Sequence, residues 1–106
     1  MKKIFISAFI ICISLYSFSQ NKEVDAVRSV LKKYSDAVER LDVAGTEKLF
    51  TNDSQIFESG GSEGTYAHYL EHHLTPEFKD FTSFKYSDYK VDVKVDGKYA
   101  FARTSV

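Results

Sequence analysis

All three histidines of the chain, His68, His72 and His73, lie in the segment Phe57–Leu74, together with Glu58, Glu63 and a Gly60-Gly61 break. Nowhere else are titratable side chains gathered so closely. Imidazole is the side chain that exchanges protons near neutral pH. A neighbouring carboxylate becomes a general base when burial raises its pKa. The residue types therefore point to proton transfer or to hydrogen-bond recognition of a small molecule, centred on one site.

Helical spacing sorts the histidines. Tyr66, Tyr69, Leu70, His73 and Leu74 fall on one side of a helix. His73 stands in the middle of that stripe, either as a core histidine with its hydrogen bonds satisfied or as an acid–base group lining a pocket. His68 and His72 fall across the helix from it. Their i, i+4 spacing suits a metal clip, but two imidazoles are an incomplete ligand set, no thiol is at hand, and Glu71 sits off to one side. Solvated surface positions are expected for both, and no metal site. Glu58 ends a short strand in which alternation puts Ile56 on one face and Phe57 on the other, so an inward base and an outward surface carboxylate both stay open. Tyr34 lies on the inner stripe of the first helix, a packing position from which a hydroxyl can reach a pocket. The candidate acid–base residues are thus Glu58 and His73. The candidate pocket residues are Tyr34, Tyr69, Glu63 and His72. No cofactor is expected.

The elements that must position these side chains are legible from periodicity. Val24, Val27, Leu31, Tyr34, Val38 and Leu41 recur every three or four residues and predict a helix from Lys22 to Leu41. Asp42 is expected to cap a second, shorter helix with Leu49 and Phe50 turned inward. Residues 54–58 read as a strand broken by Gly60-Gly61. Thr65 suits the N-cap of a helix from Tyr66 to Leu74, which Pro76 is expected to stop. A further turn is expected over Glu77–Phe81.

From Ser83 onward the pattern is β. Phe84 and Tyr86 share one parity, and Tyr89, Val91, Val93 and Val95 share the other. The change of phase predicts a bulge and a bend at Ser87-Asp88 in one long strand. Asp96-Gly97 predicts a hairpin that pairs Val93 with Ala100 and Val91 with Ala102. Helices followed by a long bent antiparallel sheet describe an α+β domain. A curved sheet around a long helix forms a cone, and its open mouth is a natural pocket.

The first twenty residues read as an export signal. Lys2 and Lys3 give a basic start, Ile4–Leu15 an apolar stretch, and residues 17–20 small residues for cleavage. The apolar stretch is short for a membrane span, so no membrane association is expected after cleavage. Cys12 leaves with the signal, and residues 21–106 then hold no cysteine and no disulfide. Loss of Lys2 and Lys3 takes the formal net charge from −1 to −3. With no basic tract, nucleic acid is not an expected partner. Lys98–Val106 reads as an apolar strand in which the chain stops, which suggests a C-terminally truncated domain.

The order helix, helix, strand, helix, long strands resembles the NTF2-like superfamily, which includes SnoaL-like cyclases and ketosteroid isomerases. The resemblance rests on Tyr34-Ser35-Asp36-Ala37-Val38 through Asp42, on Leu49-Phe50-Thr51-Asn52-Asp53, and on Phe57-Glu58-Ser59-Gly60-Gly61 with Gly64. The Glu63–Leu74 segment looks like that of exported members. The resemblance implies a cone-shaped domain over residues 21–106, a homodimer formed through the sheet, and further strands beyond Val106. In isomerase-like members a carboxylate stands at the end of the first strand, where this chain has Glu58, a Glu rather than an Asp and without the usual following Pro. Since the superfamily hosts enzymes, binding domains and adaptors, the likeness leaves three readings open. These are a small-molecule binder, a proton-transfer enzyme with Glu58 as base, and a dimerisation module.

Overall fold

A computed structural model describes residues 2–106, with side chains described for residues 20–106. The expected export signal and Cys12 fall, up to residue 19, outside the residues whose side chains are described. The elements in order are α1 (Lys2–Glu39), a 3₁₀ turn (Thr46–Leu49), β1 (Ile56–Glu58), β2 (Gly61–Gly64), α2 (Tyr66–Tyr69), a π-helical turn (Leu70–Leu74), α3 (Thr75–Phe78), β3 (Lys90–Asp96) and β4 (Tyr99–Ser105). The chain is α+β, and it divides into two compact units, Val30–Ser87 and a second one of Met1–Ser29 with Asp88–Val106. Among the described residues no helix is long and apolar enough to cross a membrane.

In the Val30–Ser87 unit, α1 ends two residues before the expected Leu41. The N–H of Leu41 bonds the Val38 carbonyl (3.0 Å) and that of Asp42 bonds the Ala37 carbonyl (3.1 Å). Leu41 itself takes φ 55. This is a Schellman cap, with leucine in the left-handed position that glycine usually fills. Asp42 does not cap a helix as expected. Its Oδ1 accepts the Ala44 N–H at 3.3 Å, a local Asx turn. The second helix is only the 3₁₀ turn, entered through Gly45 at φ 83.

β1 and β2 form a hairpin pairing Phe57 with Ser62 and Glu58 with Gly61. Its two turn residues, Ser59 (φ 52) and Gly60 (φ 82), are both left-handed, the signature of a type I′ turn. The glycine-rich stretch thus makes a second strand rather than a simple break. Thr65 caps α2 as the sequence suggests, its side chain accepting the His68 N–H at 3.3 Å. Pro76 does not stop this helix. Thr75 remains helical (φ −63, ψ −46), and α2, the π turn and α3 run on to Phe78.

The long strand expected from Phe84 is also different. Residues 82–89 carry no strand, and pairing begins at Lys90. The Tyr86 N–H donates to Glu39 Oε1 at 3.0 Å, and Lys85 meets the same carboxylate at 3.4 Å. A backbone donor fixed on the last turn of α1 is lost to a ladder. The change of phase is met by Asp88, which takes φ 55 where a bulge was expected. The sheet is accordingly two separate two-stranded hairpins, not one continuous curved sheet.

In the other unit, β3 pairs β4 with Val93 opposite Ala102, Val91 opposite Thr104 and Asp96 opposite Tyr99. The turn residues are therefore Gly97-Lys98 rather than Asp96-Gly97. Gly97 (φ 58) is the left-handed one, which fits a type II′ turn with glycine first. The shift of two positions preserves parity, so the valines keep one face and stay half-buried. Arg28 of α1 donates to the Val91 carbonyl at 3.0 Å within this unit.

Candidate functional site

The Val30–Ser87 unit is built around Tyr66, the most deeply buried large side chain described, at 1% exposure. Phe50 stacks on it with ring centroids 3.7 Å apart, and Tyr34 meets it edge-on at 6.1 Å. Ala37, Val38, Val43 and Leu74 complete the apolar core. The Tyr66 N–H is held by Ser54 Oγ at 3.2 Å, which fixes where α2 starts.

Burying a phenol requires a partner for its hydroxyl. Here the partners form a chain of defined direction. The Thr46 hydroxyl lies 2.6 Å from the Val43 carbonyl and 2.7 Å from the Tyr66 hydroxyl. A carbonyl only accepts, so the single Thr46 proton points to Val43. Tyr66 must then donate to Thr46. The relay runs from Tyr66 to Thr46 to the Val43 carbonyl, with the Tyr34 ring packed edge-on against Tyr66. Burial pushes the Tyr34 pKa well above its usual value, reinforced by Tyr66 and Tyr69 and by the bond to Tyr66. Burial also raises Tyr66, partly offset by its bonds with Thr46 and Tyr34.

At the open side of this core the candidate residues gather around Tyr69. Its ring lies 6.4 Å from that of Tyr66 and stacks on His73 at 5.5 Å with 16° between the planes. His73 Nε2 lies 2.8 Å from Glu63 Oε2, with the two side chains 35% and 26% exposed. Burial raises the Tyr69 pKa, and then the carboxylates of Glu58 and Glu77, with Tyr66 and Glu63 adding to it. Glu58 is thus near enough for its charge to bear on Tyr69, but it stands exposed on β1. The arrangement joins an oriented imidazole, a carboxylate that fixes it, and an aromatic wall. It is chemically able to hold a polar group against an apolar ring, or to move a proton.

His72 is not part of this group. It points to solvent at 55% exposure, 4.0 Å from Glu71, with its ring 4.3 Å from that of His68. His68 uses Nδ1 on the Glu63 carbonyl at 3.1 Å. Among the described residues no three His, Cys, Asp or Glu side chains converge as a metal set. Tyr34, expected at a pocket, packs its ring edge-on against Phe50 and Tyr66. An open groove of about 470 Å³ lies instead over Leu41–Gly45, Leu70, Thr75, Phe78 and Lys79.

Thr46, central to this geometry, was not singled out from the sequence; it follows a glycine in a polar stretch and carries no periodic signal. Helical spacing put Leu74 and His73 on one stripe with His73 at its middle, whereas in the structure Leu74 takes the core, being 8% exposed against 35% for the histidine side chain. The signal for that difference was Pro76, read as a stop. No family model matches this chain, and no curated protein or solved structure matches it.

Proposed function

We propose that this chain is an exported NTF2-like domain that binds a small amphipathic molecule, using the Glu63–His73 pair as its polar contact and the Tyr69 ring as its apolar one. The observation that carries this reading is the 2.8 Å contact between two partly exposed ionisable side chains, one stacked on an aromatic ring. Such a pair is costly to maintain for packing alone, because each group gives up some water. It suits a ligand with a flat apolar body and one hydrogen-bonding group.

Titration with anilinonaphthalene sulfonate, followed by fluorescence, tests the reading. His73→Ala should weaken binding a few-fold, the loss of about one hydrogen bond at roughly 0.5–1.5 kcal/mol. His68→Ala should leave it unchanged. Equal affinities for the two variants and the unmodified protein would remove the pair from the site.

The same contact favours a second reading, proton-transfer catalysis. A carboxylate that orients an imidazole is the base-and-orienter arrangement of acid–base enzymes. In this version His73 is the proton carrier and Glu63 its orienter, with the exposed Glu58 less suited than Glu63 to a base role. Deuterium uptake at the carbon beside the carbonyl of a simple cyclic enone, followed by NMR, should then exceed that of Glu63→Gln at least tenfold. Equal rates would leave binding alone.

A further inference from the structure

We infer that Pro76 is a positioning residue: it holds the Leu70–Leu74 turn in its wide form and so sets His73 against Glu63 rather than in the core. The inference rests on the Glu63–His73 reading of the site.

In a uniform α-helix the residue seven places after Tyr66 shares its face, because i, i+3, i+4 and i+7 form one stripe. That residue is His73. Leu74, one step further, stands at the edge of the same stripe, about 100° round from His73. In the structure the stripe is rotated, with Leu74 buried at 8% and His73 at the rim. The cause lies between them. The Thr75 N–H bonds the Leu70 carbonyl, five residues back. Such a closure inserts one residue into the turn. Counted past the insertion, Leu74 occupies the seventh place and His73 the sixth. The leucine enters the core, and the imidazole moves to the edge, where Glu63 stands.

Pro76 supplies the reason for the wide turn. Proline has no N–H to give to the carbonyl four residues back, and its ring collides with that carbonyl in a regular helix. The carbonyl concerned belongs to His72. Widening the preceding turn moves it aside without leaving helical geometry, as the backbone angles of Leu74 (φ −66, ψ −47) and Thr75 show. The helical run then closes in a tighter 3₁₀ turn, with the Lys79 N–H on the Pro76 carbonyl three residues back at 3.2 Å. Pro76 touches neither member of the pair by any hydrogen bond; its influence passes through helix register. With alanine at this position an N–H becomes available for His72, and the α closure that turns His73 inward is no longer blocked.

The test is NMR of the histidine ring signals in the full chain at one fixed pH, comparing each protein with its Glu63→Gln counterpart. In the unmodified chain Glu63→Gln should shift the His73 ring signals and leave those of His72 in place. With Pro76→Ala the His73 signals should no longer respond to Glu63→Gln, and anilinonaphthalene sulfonate should bind several-fold more weakly. Deleting Glu71 from the Pro76→Ala chain removes the inserted residue and should restore both the response and the affinity, a rescue that a merely stabilising proline would not produce. A Pro76→Ala chain whose His73 still responds to Glu63→Gln overturns the proposal. So does failure of the deletion to restore the response, which keeps the test decisive where Pro76→Ala alone does not fold. If Glu63→Gln and His73→Ala leave dye affinity unchanged while the NMR pattern holds, the binding role falls and the positioning role of Pro76 stands.

Discussion

Tyr66 and Tyr99 are the same residue in opposite circumstances. Tyr66 is 1% exposed in the Val30–Ser87 unit, stacked, hydrogen-bonded and central to a core; Tyr99 opens β4 at 73% exposure. The difference extends to the surroundings. Every buried residue described belongs to Val30–Ser87, and every residue of β4 is exposed. Regular hydrogen bonding is present in both places, since the β3–β4 ladder pairs without interruption from Lys90–Ser105 to Asp96–Tyr99. A complete ladder is therefore no guide to where the folding energy lies. A two-stranded hairpin without a covered face is marginal by itself, whereas side chains removed from water stabilise in proportion to the area they bury.

The comparison breaks if both tyrosines cost the same when truncated. Tyr66→Ala should lower stability by about 3–5 kcal/mol, the range for large aromatic side chains lost from a core. Tyr99→Ala should stay within about 0.5 kcal/mol, as for other surface substitutions. Urea denaturation followed by circular dichroism measures both. Leu74→Ala should fall between them, at about 2–4 kcal/mol, and would show that the leucine rather than its histidine neighbour belongs to the core.

A finer version separates the Tyr66 ring from its hydroxyl. Tyr66→Phe keeps the stack on Phe50 but leaves the buried Thr46 hydroxyl without its donor. It should cost about 1–2 kcal/mol in the same denaturation series. Alkaline titration probes the same phenols without mutation. The folded-state pKa values of Tyr34, Tyr66 and Tyr69 are raised above the ordinary 10.0. Below pH 10 both folded and unfolded chains keep these protons, so stability is unaffected. As pH rises past 10 the unfolded chain releases them first, and stability must fall. The denaturation midpoint should be level between pH 8 and about 9.5 and decline above 10, and Tyr66→Phe with Tyr34→Phe should flatten the decline.

The smallest effect sharpens the contrast between the two hairpins. Ser59 is exposed and left-handed, followed by Gly60. Asparagine tolerates that conformation better than serine. Ser59→Asn should raise the urea midpoint by the equivalent of a few tenths of a kcal/mol, roughly 0.3–0.5.

These contrasts mark what the sequence could disclose. The stripe through Tyr34 and Val38 announced the C-terminal half of α1, and Asp96-Gly97 announced a hairpin. Its register was out of reach, because aspartate and lysine flank Gly97 and either neighbour could share the turn. The long strand failed for a different reason. Phe84 and Tyr86 alternate correctly, yet the fixed position of the Tyr86 N–H depends on Glu39, forty-seven residues earlier. Of the site, Glu63, His73 and Tyr69 were read as candidates and are brought together, whereas His72 is at the surface and Glu58 is exposed. Periodicity assumes a constant rise and turn, so one inserted residue at Leu70–Leu74 was enough to carry His73 from the middle of the stripe to the rim and leave Leu74 in the core.

The hydroxyl relay has a consequence for how this unit comes together in time. Thr46 and Tyr66 are contributed by the 3₁₀ turn and α2, and the bond between them spans twenty residues. Closing that loop costs entropy before the bond returns anything. The Thr46–Val43 link is local and forms within its own turn, but a Tyr66 ring buried before Thr46 arrives leaves its hydroxyl unpaired. The barrier to folding should therefore fall where the region around Tyr66 closes. Amide exchange there should proceed only through opening of the whole unit, while the amides of the exposed β4 exchange through local fluctuations.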